Sequence, residues 1–136
     1  MTQDIGFEIK QDIPYEQAVE RVIEALKEEG FGVLTSIDVK ATLKSKIDED
    51  FRPYVILGAC NPPLAHRALS EDSVVGLMLP CNVTVEANPE GGATTRLANP
   101  EMIMTIGGLQ NNQTLVEVAR EARSRIERVA AALLES

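Results

Sequence analysis

The stretch Gly58-Ala59-Cys60-Asn61-Pro62-Pro63-Leu64-Ala65-His66-Arg67-Ala68-Leu69 holds one of the chain's two cysteines and its only histidine. After an acidic turn comes Val74-Val75-Gly76-Leu77-Met78-Leu79-Pro80-Cys81-Asn82-Val83-Thr84-Val85, with the second cysteine. Tyr54 to Cys60 is an almost unbroken apolar run, the pattern of a strand buried on both faces. Asn61 followed by proline is a helix start, because an Asn side chain caps free N–H groups and proline has none to satisfy at the first helical position. That helix is expected to run to about Leu69 and to break in Ser70-Glu71-Asp72-Ser73. From Leu77 to Glu86 apolar and polar residues alternate, which predicts a strand with Cys81 on its apolar face. Pro80 cannot donate to a ladder and predicts an edge position or a bulge.

On the N-terminal side, Ile5, Phe7 and Ile9 alternate with polar residues and glycine, as in a half-buried strand. Tyr15, Ala18, Val19, Val22, Ile23 and Leu26 recur at helical spacing, so 14–29 reads as an amphipathic helix closed by Gly30. Phe31 to Lys40, rich in Val, Ile and Thr, reads as a strand. The polar piece 41–50 fits a short helix or an open loop. On the C-terminal side, Asn88-Pro89-Glu90-Gly91-Gly92 is a turn that joins the Cys81 strand to a second one over 93–98, and Asn99-Pro100 closes the hairpin. Met102 to Ile106 fits no single pattern. A final helix over about 113–134 carries Leu115, Val118, Ala119, Ala122, Ile126, Val129 and Leu133 on one face. Thr114 and Glu117 have the spacing of a capping box at its start.

The order strand, helix, four strands, helix predicts an α+β domain in two layers. Its sheet is mostly antiparallel, and two long helices lie on one face. At 136 residues and 44% hydrophobic, the chain suffices for one domain, 1–136, with a real core. Aromatics make up only 4%, so that core is aliphatic. A net charge of -8 speaks against nucleic acid or an anionic membrane as the partner, since both need clustered Lys and Arg. Met1 to Lys10 lacks the pattern of a signal peptide, and no apolar run approaches membrane-spanning length. Two cysteines make no disulfide framework. The expectation is a cytoplasmic protein with reduced thiols, and a homodimer, since two-fold dimers are the commonest assembly.

Chemistry concentrates in the opening stretch. Cys60 ends a strand beside a helix N-terminus, whose dipole favours a thiolate. His66 lies about a turn into that helix. Cys60, His66 and Cys81 are soft ligands suited to zinc or another thiophilic metal, with a fourth position open. The same thiols would serve equally as a redox pair or a nucleophile, or simply as packing. Asn61 and Asn82 add amides that either cap and turn the backbone or orient a small ligand. Three functions follow: a binding module for a small ligand or metal at Cys60, Asn61, His66, Cys81 and Asn82; an interaction domain with packed cysteines; or a thiol enzyme with Cys60 as nucleophile.

Asn61-Pro62-Pro63-Leu64-Ala65, Gly76 to Val85, Asn99-Pro100 and Leu26 to Leu34 together resemble the domain-of-unknown-function family numbered 302, over nearly the whole chain. The resemblance implies a compact α+β domain, usually a homodimer. It implies no established activity, catalytic residue or cofactor.

Overall fold

The structure, a computed structural model, describes residues 2, 3 and 5–135. Met1, Asp4 and Ser136, which include both ends of the expected 1–136 unit, lie outside the described residues. The strands are β1 (Thr2–Gln3), β2 (Gly6–Gln11), β3 (Gly32–Asp38), β4 (Tyr54–Cys60), β5 (Cys81–Ala87) and β6 (Ala93–Ala98). The helices are α1 (Tyr15–Glu28), α2 (Val39–Ile47), α3 (Pro62–Glu71), α4 (Pro100–Ile106) and α5 (Gln113–Leu134). Among the described residues the strands form one antiparallel sheet in the order β1-β2-β6-β5-β4-β3.

Side-chain alternation sorts that sheet into two faces. Ile9, Val55, Leu57, Ala59, Val83, Val85 and Leu97 are buried in a common cluster with Val22 and Leu26 of α1 and Ile126, Val129 and Leu133 of α5. Both long helices therefore lie on one face, as the sequence predicts for this α+β fold. Each such aliphatic side chain contributes about 1.5–3 kcal/mol when fully buried, so this cluster dominates stability. The end of α1 is fixed by its sequence. Gly30 adopts φ +85°, and the N–H of Phe31 donates to Leu26 O at 2.9 Å while that of Gly30 donates to Lys27 O at 3.0 Å. This left-handed closure turns Phe31 back into the core. Arg125 and Arg128 of α5 then hold Glu29, the first by its carbonyl at 3.1 Å and the second by its carboxylate at 2.8 Å.

Two local readings left open are resolved, and others are corrected. The piece 41–50 is mostly helical: α2 is capped by Asp38, which accepts from Ala41 N at 3.0 Å, and it stops at Asp48 in the left-handed region at φ 55°. The strand expected from Leu77 begins only at Cys81. Asp72 accepts from Val74 N at 3.0 Å and starts a 3-10 turn, Ser73–Met78, and Pro80 brings no N–H to a ladder. Pro80 accordingly precedes the first paired residue of β5, which is an interior strand rather than an edge. Asn99 closes the hairpin and also caps a helix, accepting from Glu101 N at 3.1 Å, so Met102 to Ile106 belongs to α4. Asn112, not Thr114, caps α5, accepting from Leu115 N at 3.1 Å.

Candidate ligand-binding site

The expected site residues part into two groups on either side of the sheet's end. A second buried cluster, Leu64 and Ala68 of α3, Val75, Met104 of α4, and Leu115, Val118, Ala119 and Ala122 of α5, extends the helical layer past β4 and β5. It lines an apolar cavity of about 90 Å³, partly open to solvent and bordered by Cys60, Asn61, Cys81, Met78 and Met104. Cys81 lies opposite Ala59 in the β4–β5 register and shares the helix-covered face with Val83 and Val85. Cys60, one residue on from Ala59, is out of step with it. Burial pushes the Cys81 thiol up to about 11, with the nearby Cys60 adding to the rise. Cys81 is thus a neutral thiol at physiological pH.

Asn61 is buried, and its Oδ1 accepts from Leu64 N at 3.2 Å, as a helix cap should. Its amide also lies under Gly30, where an added Cβ would sit 2.9 Å from Nδ2. His66 is exposed on α3 and does not border the cavity. Among the described residues no three His, Cys, Asp or Glu side chains converge in a metal-holding group. The structure thus brings Cys60, Asn61 and Cys81 together and leaves His66 apart from them.

Asn82 lies on the opposite face of β5 from Cys81, Val83 and Val85, away from α1 and α5. There a groove of about 640 Å³ runs between the sheet and the Leu77–Pro80 segment. Tyr54, Asn82, Thr84 and Arg96 form its floor, with Glu8 at one side. Ile5, Leu77, Leu79 and Ile103 give it apolar walls, and Leu77 is 88% exposed. Gly58 explains why the segment sits so close. A Cβ there would meet Pro80 Cγ at 2.7 Å and Thr35 Oγ1 at 2.1 Å, so only glycine lets the proline ring rest on the strand.

The charges on this floor cancel. Arg96 donates to Glu8 from Nε at 3.0 Å and from Nη1 to Glu86, whose other oxygen accepts from Arg52 Nε at 2.7 Å. Burial raises the Glu86 carboxyl, but hydrogen bonds from Arg96 and Arg52 and their charges outweigh it, leaving it below the ordinary carboxylate value. The hydrogen bond that Arg96 donates to Glu86 is the largest influence holding Arg96 firmly protonated. By contrast, the side chains of Tyr54, Asn82 and Thr84 make no hydrogen bond to another described residue. Tyr54, Thr84 and Arg96 were not among the residues singled out from the sequence. Their polar character was visible, but only the register of β2, β6, β5 and β4 sets them side by side.

A family model described as "Domain of unknown function DUF302" matches residues 7–133. The crystal structure of an uncharacterized conserved protein DUF302 from Bacillus stearothermophilus superposes with a TM-score of 0.82 at 31% identity. The alignment covers 94% of this chain and 97% of that one. No curated protein matches. Among the described residues no helix is long and apolar enough to cross a membrane.

Proposed function

The chain belongs to the DUF302 family, and from that footing we propose that it is a single-domain, homodimeric binding module for a small, uncharged organic ligand held in the groove beneath Leu77–Pro80. One observation carries the reading: a groove of about 640 Å³ with apolar walls, in which Tyr54, Asn82 and Thr84 offer side-chain hydrogen-bonding groups that have no partner among the described residues. That volume falls in the range of small-molecule sites, about 300–1,000 Å³. The paired Arg96, Arg52, Glu8 and Glu86 leave the floor without net charge, which favours a neutral ligand over an ion. Binding rather than thiol chemistry is further supported by His66 standing outside the lining that Cys60 and Cys81 share. Both cysteines are unpaired, which suits the reducing cytoplasm we propose as the setting.

For the homodimer, the free edge of β3 is the favoured seam. Its outer backbone groups have no strand partner among the described residues, and Leu34 and Ile37 are exposed on it. Sedimentation equilibrium tests this: a dimer that Ile37→Lys dissociates supports it, and a monomer at high concentration opposes it. Ligand binding is tested by calorimetric titration with a panel of small primary amides. Saturable binding that Asn82→Ala weakens about threefold to tenfold, the worth of a hydrogen bond, is expected. Binding unchanged by Asn82→Ala would remove the groove as the site.

A further inference from the structure

The cavity and the groove share a wall. Met78, Leu79 and Ile103 border both the 90 Å³ cavity on the helix side and the 640 Å³ groove on the open side. We propose that the two are one site with two compartments. The groove holds the neutral polar head of an amphipathic ligand, and the cavity takes its short aliphatic tail once Met78 swings aside.

Three observations carry this beyond the ligand-binding reading on which it rests. First, the cavity lining is almost entirely aliphatic or thioether, from Leu64, Val75, Met104 and Val118, so it rewards apolar atoms and not water. Second, its size sets the tail. A cavity of about 150 Å³ accepts a benzene ring, so this smaller one accepts a straight or branched chain of about three or four carbons. Third, the barrier is built from a movable side chain. Met78 is unbranched with three rotatable bonds, and its Sδ rests against Gly107, 2.9 Å from where a Cβ would stand. Leu77, next in the chain, is almost wholly exposed.

The protonated Cys81 fits the same role. A half-buried neutral thiol among apolar side chains behaves as a small apolar group, so the cavity wall stays apolar at physiological pH. The class of ligand is therefore a small amphipath with an amide-like or hydroxyl-bearing head and a short alkyl tail.

The test has two arms. Xenon, which enters dry apolar cavities, should cause saturable NMR shifts at the Met104 and Val118 methyl groups. Ala122→Leu, which fills the cavity from α5, should abolish them. No saturable shift at these methyls in the wild type overturns the proposal. The second arm titrates straight-chain primary amides from acetamide to heptanamide. Affinity should rise about fourfold for each methylene over the first three or four carbons and then level off. Met78→Ala should move the plateau outward, and Ala122→Leu, with Ala119→Val as a second filling variant if the first misfolds, should flatten the rise without losing acetamide binding. Amide binding that ignores chain length overturns the two-compartment proposal while leaving the groove intact. Failure of every amide to bind overturns the groove as well.

Discussion

Replacing Gly58 by alanine should be one of the most damaging single-methyl changes in this chain. Gly58 lies in β4, opposite Asn82 of β5 and Thr35 of β3, on the open face. A Cβ there would stand 2.1 Å from Thr35 Oγ1 and 2.7 Å from Pro80 Cγ. The threonine is exposed and escapes by rotating about χ1. The proline cannot, because its ring is fixed to the backbone that leads into β5. Forcing an extra methyl into a filled site costs about 1–3 kcal/mol. For a chain of this size that corresponds to a fall in Tm of roughly 4–12 °C. Urea unfolding, with the m-value checked for constancy, measures it directly. Thr35→Ala in the same background should recover only the smaller part of the loss. A Gly58→Ala variant within about 1 °C of the wild type, or one fully rescued by Thr35→Ala, would refute the reasoning that Pro80 sits locked on this strand.

Asn61→Ala should cost about 1–2 kcal/mol in urea unfolding, because it removes a buried cap that satisfies Leu64 N; a loss under about 0.3 kcal/mol would contradict that role. Glu86 has a folded pKa held below its unfolded value of about 4.3. Its network therefore stabilises the fold at neutral pH, and that contribution is lost as pH falls through the lowered value. After discounting for the 44% exposed Arg96, Glu86→Gln should cost about 1 kcal/mol at pH 7 and flatten the acid limb of the stability curve; an unchanged limb would argue against it. Cys81, with its thiol pushed up to about 11, should resist iodoacetamide at pH 8 in the native state and react once unfolded, as peptide mass spectrometry would show; rapid native alkylation of Cys81 would speak against a buried neutral thiol.

The parts of the fold that local chemistry dictates were legible in the sequence. Asn61 before Pro62 caps α3, and Gly30 closes α1. The alternation at Val83 and Val85 marks β5, and the 3.6-residue recurrence from Leu115 to Leu133 marks α5. Local competition was not legible. Leu77 and Leu79 continue the alternation of β5 on paper, yet Asp72 caps a turn there and Pro80 denies the ladder a donor. Thr114 and Glu117 have the spacing of a capping box, but Asn112 lies two residues earlier with a better-suited amide. The site was legible only in part. Cys60, Asn61 and Cys81 do meet, because they flank one strand junction. Whether His66 faced them depended on the helix rotation that Leu64 and Ala68 impose by facing α5. Asn82 was singled out, and the hairpin that sets Thr84 beside Arg96 was legible, but no short window encodes the pairing of β4 with β5 that adds Tyr54.

The central claim is that the groove under Leu77–Pro80 is a binding site. Its most direct test is an NMR titration of the isotope-labelled protein with butanamide, followed residue by residue at the backbone amides. Saturable shifts concentrated at Asn82, Thr84, Arg96 and Ala98, and lost in Asn82→Ala, are predicted. Shifts that fail to saturate, or that saturate elsewhere on the surface, would contradict the account.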